Sequence, residues 1–381
     1  MNWDDAIEEA AATDTGMRRT NNQDSHAIVR AARVESWKSR GHVFMVADGM
    51  GAHAVGELAS KLACDNIPHN YLKARSIPTA EAITKAYKEV GVLIHARATA
   101  NKDFLGMGTT CSTLILGPEG ALIAHIGDSR VYRVRRDRID QLSFDHSLAW
   151  ELVRRNHLSL EEASKAVPRN VITRSLGPDP NIEVDIEGPQ PVEPGDVFLL
   201  CSDGLTGHIE DPELGMLAGH LSPADASRYL VALANLRGGQ DNITVVLARI
   251  GRWVEPGTDA DLATTDAAKG ATAGKGGGFL KRLFAGRKAE AEVVEENVYR
   301  TADCGLDDAR LTALSDLVRK GQATAIDRTW PLDWSALATL RREAEEALAD
   351  GHRRKALKAL GEAIVLLGEA GRLHKKTAHA S

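Results

Sequence analysis

With 381 residues the chain is long enough for one large domain or two ordinary ones, and its 43% hydrophobic and 26% charged content is a globular balance, not a disordered one. A formal net charge of -6 supplies no basic face, so nucleic-acid binding is not expected. Met1–Ala12 carries Asp4, Asp5, Glu8 and Glu9 where a secretory signal would need a basic start and an apolar core. It reads as an N-terminal tail, residues 1–12. No uncharged apolar run reaches the length of a bilayer, and membrane contact is not expected. Cys64, Cys111, Cys201 and Cys304 form no C-x-x-C pair. Buried reduced thiols in a cytoplasmic protein are the expectation.

From Thr13 to Ile250 short apolar runs alternate with turns. Strands are predicted at His26–Arg30, His42–Ala47, Ser112–Leu116, Ala121–Ile126, Arg130–Val134, Val197–Cys201 and Thr244–Ile250, rich in Val, Ile and Leu. Helical periodicity marks Val55–Leu72, Thr79–Ala100, Ser147–Lys165 and Ser222–Leu236. Strands cluster without strict βαβ alternation, which predicts an α+β layered sandwich of antiparallel sheets. Residues 13–252 form this domain. Residues 253–290 read as a flexible linker of Asp, Ala, Thr, Gly and Lys that ends in a short basic amphipathic patch, Gly278–Lys288. Residues 291–381 turn helical. Leu311, Leu314 and Val318 share one face, Leu337, Leu340, Ala344 and Leu348 a second, Leu357, Leu360, Ile364 and Leu367 a third. Two of these make a hairpin like one tetratricopeptide unit. Repeat arrays need about three units, so a small all-α bundle is expected.

The residues that carry chemistry are acidic and sit at strand margins. His42–Ala47 ends in Asp48-Gly49, and Val197–Cys201 is followed by Asp203-Gly204 in a near copy. A single Asp-Gly after a strand is an ordinary turn. Two copies, on strands that are central and adjacent, would project both carboxylates from one rim. Asp128 follows a further apolar run, Asp241 precedes one, and Asp24 precedes His26–Arg30. Carboxylates crowded together repel unless neutralised, and hard divalent cations are their natural counter-ions. No His/Cys cluster competes, so magnesium or manganese is expected over zinc. Gly49, Gly51 and Gly56 flank Asp48, and Gly106 and Gly108 precede Thr109-Thr110, where the backbone can turn sharply or approach a ligand.

In order along the chain, these stretches are Thr13–Asp24, Ala47–His53 with Gly56–Ser60, and Gly106–Thr110. Ile126–Tyr132, Asp145-His146-Ser147, Ile172–Gly177, Leu200–Thr206 and Asp241–Val245 follow. The ordered set resembles the metal-dependent Ser/Thr phosphatases of type 2C, nearest to their bacterial branch. It spans Thr13 to Ile250 and nothing beyond. The resemblance implies a four-layer αββα sandwich, two antiparallel sheets flanked by helices, with metals at one end; the small all-α segment follows it. It implies Asp48 bridging two metals, Gly49 offering its carbonyl to one, and Asp203 and Asp241 ligating the other. Asp24 falls on an outer-shell acid, and Asp128 on the ligand of a third, weaker metal. Arg19 falls on the phosphate-binding arginine. Here Ala52 replaces the second of the family's paired glycines.

The chemistry such parts permit follows directly. Two Mn²⁺ or Mg²⁺ ions about 3.5–4 Å apart share one water and lower its pKa, and the bridging hydroxide attacks phosphorus in line. The leaving serine or threonine alkoxide is basic and needs a proton, for which His53 is the candidate; His146 is read as structural. The expected activity is hydrolysis of phosphoserine and phosphothreonine in signalling proteins, the substrates of a Ser/Thr kinase. The alternatives are a pseudo-phosphatase or phosphoprotein-binding regulator, which would be expected to lack a ligand, and an enzyme of small phosphate esters.

Overall fold

The computed structural model describes residues 7–51, 55–154, 162–163, 167, 171–254 and 299–380. Two antiparallel sheets face each other. The first runs β1 (Ile7–Asp14), β11 (Ile243–Ile250), β10 (Val197–Cys201), β7 (Arg130–Arg135), β8 (Arg138–Gln141), β12 (Arg300–Asp303). The second runs β2 (Asp24–Val29), β3 (His42–Met50), β5 (Cys111–Gly117), β6 (Gly120–Ile126), β9 (Asp185–Gln190), with β4 (Gly108–Thr109) paired to the end of β3. Side-chain alternation builds the layers. Phe198 and Leu200 of β10 point between the sheets with Phe44, Val46, Leu114 and Val246. Val197, Leu199 and Cys201 point out, toward the helices.

On the outer face of the second sheet lie α2 (Val55–Lys73) and α3 (Thr79–Ala100), burying Ile67, Tyr71, Ile83 and Tyr87 with Val43 and Met45. Short α1 (Val34–Arg40), α4 (Leu148–Arg154) and α5 (Asp203–Thr206) fill connections. On the first sheet lie α6 (Asp211–His220) and α7 (Pro223–Leu236). The four-layer sandwich of the sequence reading is present. All four cysteines are free and buried. Among the described residues no helix is long and apolar enough to cross a membrane.

The ends of the chain differ from expectation. Residues 7–12 are not tail: Ile7–Asp14 pairs along its whole length with β11. Its Glu pair followed by three alanines shows no period-2 pattern and is a weak strand signal, so tertiary pairing decides the outcome. Beyond 298 the segment is helical as expected, in α8 (Asp308–Asp327), α9 (Trp334–Ala349) and α10 (Arg353–Ala380), but β12 precedes them and extends the first sheet. The helices do not satisfy their apolar faces only among themselves. Leu357, Leu360 and Ile364 of α10 join Tyr229, Leu230 and Leu233 of α7 in one apolar cluster. The predicted Gly278–Lys288 patch and most of the linker lie outside the described residues.

Candidate active site

The site forms where strand ends of both sheets meet. Asp24 and Asp48 are register partners across β2 and β3. Like charges directly opposite in an antiparallel pair destabilise it, so the position needs a proton or a cation. Asp48 is fixed from behind: its backbone N–H donates to Thr110 Oγ1 at 2.9 Å, and its carbonyl accepts from Thr110 N–H at 2.9 Å. Ser202 donates to Asp24 Oδ2 at 2.7 Å, while Asp24 Oδ1 is buried without a hydrogen-bond partner.

Asp48 lies near the end of β3 and Asp203 opens α5 just after β10; the two strands belong to opposite sheets, and the two carboxyls are electrostatic neighbours across the sandwich. Neither following glycine is there for a positive φ. A Cβ on Gly49 would stand 2.0 Å from the Gly56 carbonyl oxygen, and one on Gly204 would stand 2.0 Å from that of Asn242. Close passage of two backbones requires both glycines.

Burial and mutual repulsion push these carboxyls up. Asp24 rises to about 7, chiefly by desolvation, with Asp203 and Asp241 adding repulsion. Asp128 rises to about 8, by desolvation and then by Asp203 and Asp145. Asp48 stands well above the usual carboxylate range, through burial and then the charges of Asp24, Asp203, Asp128 and Asp241. Asp203 is raised by burial and by Asp241. The five predicted aspartates are thus electrostatic neighbours, although among the described residues no three donors already stand as a finished metal cage. The exposed Arg19 donates from Nη2 to Asp241 Oδ2 at 2.7 Å. The donor set still fits hard cations: all oxygen, more charge than the fold can bury unaided, and a buried Asp24 oxygen without a hydrogen-bond partner.

His53 lies outside the described residues. His146 accepts from the Gly127 N–H at Nδ1, 3.0 Å, and reaches Asp185 from Nε2 at 3.0 Å, so it braces the turn that carries Asp128. The sequence reading gave no role to Asn242. Its Oδ1 accepts from Gln23 N–H, and its Nδ2 donates to the Thr15 and Asn21 carbonyls, so it ties the Arg19 loop to Asp24 and Asp241. Ser202 and Thr110 were likewise given no role. All three stand inside the motif blocks, beside the charged residues that drew attention.

The profile of the Protein phosphatase 2C family matches residues 17–237, more than half of the chain, and the chain belongs to this family. It is a protein-serine/threonine phosphatase. It is 36% identical over 247 residues to the protein phosphatase PhpP of Streptococcus pneumoniae, covering 63% of this chain and 96% of that protein. It is 35% identical over 240 residues to the serine/threonine phosphatase stp of Listeria innocua, covering 62% of this chain and 92% of that protein. Among solved structures, the Mycobacterium tuberculosis phosphatase PstP/Ppp superposes with a TM-score of 0.56 at 30% identity, over 65% of this chain and 100% of that one. The catalytic domain of PstP in complex with two manganese ions gives 0.55 at 30% identity, over 64% and 98%.

Proposed function

We propose that the enzyme hydrolyses phosphoserine and phosphothreonine in proteins with the help of two Mn²⁺ or Mg²⁺ ions held by Asp48, the Gly49 carbonyl, Asp203 and Asp241, with Asp24 behind them. Asp128 would hold a third, weaker ion. The observation that carries this reading is the convergence of Asp24, Asp48, Asp128 and Asp203, whose carboxyls are raised first by burial and then by neighbouring aspartate charges, with Asp241 beside them and Asp24 Oδ1 without a hydrogen-bond partner. When bound, such ions supply an activated water and offset the phosphate charge.

The chain's own residues do the rest. Asp24 and Asp48, held protonated by burial and by neighbouring carboxylates, would be held ionised by a bound cation, which offsets both effects. Arg19 exchanges Asp241 for two phosphate oxygens, a match for its planar guanidinium. Asn242 and Thr110 keep the loops in register while this happens. His53 donates the proton that the departing alkoxide needs. The substrates are phosphorylated proteins of a Ser/Thr kinase pathway, and the place of action is the cytoplasm. Residues 13–252 are proposed as the catalytic domain, 253–290 as linker, and 291–381 as a C-terminal domain of helical character.

The test is turnover of a phosphopeptide after exhaustive chelation. Activity should vanish and return with added manganese. Full turnover in metal-stripped protein would overturn the proposal.

A further inference from the structure

A cleft of about 670 Å³ opens beside Asp128 and Asp203. That is the size of a ligand site, far more than ions and one phosphate fill. It runs past Trp150 and Thr206 to Glu210, Pro212 and the strand Arg300–Ala302. Its far wall is therefore β12, which lies beyond the stretch matched by the family profile. β12 is held there by pairing with β8, Arg300 opposite Gln141.

The charges along the cleft are mostly spent on one another. Arg130 binds Asp145 through Nε at 2.9 Å and Nη2 at 2.6 Å. Arg130 also donates to Tyr132 Oη at 3.0 Å, and Tyr132 donates to Asp211 Oδ1 at 3.0 Å. The other Asp211 oxygen meets Arg300 Nε at 3.1 Å. Glu210 is exposed and, among the described residues, makes no ion pair. Once Asp128 and Asp203 are matched by cations, Glu210 is the charge left over.

We infer that this cleft is the subsite for the peptide flanking the phosphorylated residue, and that Glu210 makes it select a Lys or Arg side chain there. Arg300, contributed by the C-terminal segment, tempers that selection by neutralising Asp211. The inference rests on the protein-phosphatase reading above.

The experiment uses the full-length enzyme at saturating Mn²⁺ and phosphoserine peptides that differ only in carrying Lys or Glu at each of three positions on either side. The readout is the Lys/Glu ratio of kcat/KM. At one or more of these positions wild type favours Lys. Glu210→Gln lowers that ratio about two- to fivefold, the range of a partly exposed ion pair, and Glu210→Asp restores it. Arg300→Gln, which keeps a long side chain on β12, raises the ratio because Asp211 loses its partner. A general structural lesion would move both variants in the same direction. Ratios that stay fixed, or that move together, overturn the inference. Wild type that cleaves an aryl phosphate but neither peptide overturns the protein-phosphatase reading instead, so the two failures are distinguishable.

Discussion

Gly361 of α10 allows a test by sign of whether the C-terminal helices are part of the catalytic fold. Inside a helix that stood alone, Gly361→Ala would stabilise by about 1 kcal/mol, the ordinary difference in helix propensity. In the structure a Cβ at Gly361 stands 2.2 Å from Cδ2 and Cε2 of Tyr229 on α7. Those are ring carbons of a fully buried side chain, so the ring cannot swing away and the helix must shift by about an ångström. Overpacking of that kind costs about 3 kcal/mol, the upper end of the usual range. The net effect is a loss of about 2 kcal/mol, or about 4–8 °C in melting temperature for a fold of this size. Gly368, two turns on, is the control: its added Cβ meets only Ala232 O at 3.6 Å and Ala232 Cβ at 3.8 Å, ordinary contacts. Gly368→Ala should therefore raise the melting temperature by about 2–4 °C. The assay is thermal melting by near-ultraviolet circular dichroism, with phosphatase activity surviving a heat step as a second readout. Gly361→Ala melting above wild type would refute the docking of α10 on α7. So would two separate transitions of which only one moves.

The other expectations concern the site. Asp48→Asn and Asp203→Asn should each remove nearly all phosphopeptide turnover, while the metal-free proteins melt no lower than wild type because repulsion among the carboxyls falls; near-normal turnover in either would contradict the ligand assignment. Arg19→Ala should lower kcat/KM roughly ten- to a hundredfold, the worth of about 1.5–3 kcal/mol of charged hydrogen bonding, and a shift in manganese titration without that loss would refute its role. His53→Ala should slow phosphoserine release far more than release of nitrophenolate, which leaves without a proton; equal losses would remove it as the acid. Stability of the metal-free protein should fall as pH rises from about 6.5 to 8, where Asp24 and Asp128, with folded pKa values of about 7 and 8, lose the protons that make their burial tolerable. His125 and His220, both lowered to about 4 chiefly by burial, work the opposite way below pH 6.5 and leave this window clear. Saturating manganese should flatten the fall, and a metal-free melting temperature that climbs across the window would refute the carboxyl assignment.

The central strands were legible because each is a run of β-branched and aliphatic residues closed by a turn, and such runs are buried on both faces here. The cluster of aspartates was legible because acidic residues recur at the margins of several apolar runs, a repetition that one ordinary turn does not explain. β1 was missed because Ile7–Asp14 is mostly acidic residues and alanine without alternation, and only its register with β11 makes it a strand. β12 was missed for a similar reason: Arg300-Thr-Ala-Asp303 has no periodicity of its own and exists as an edge of β8. The supports of the site were hidden by their ordinariness. Nothing in a lone Asn242 or Ser202 announces that it will face Gln23 or Asp24, residues far away in the sequence.

Those missed elements change how the C-terminal segment is understood. Composition alone made residues 291–381 look self-sufficient, because each helix carries its own apolar face. The faces were read correctly, but part of what they bury is α7, and the segment reaches the site from two directions. On one side β12 walls the cleft beside Asp128. On the other, Arg372 of α10 pairs with Asp14, and Lys375 donates to the Met17 carbonyl, on the loop that presents Arg19. Asp14 in turn accepts from Gly16 N–H at 2.9 Å and Asn235 Nδ2 at 3.0 Å. The proposed linker at 253–290 is compatible with this, since a linker can join two parts of one packed body as well as two independent ones. What decides between those cases is where the apolar area is buried, and here Leu360 and Ile364 are buried in the same cluster as Leu230 and Leu233. The described part of the segment outside the family match therefore packs against both the loop that carries Arg19 and the cleft beside Asp128.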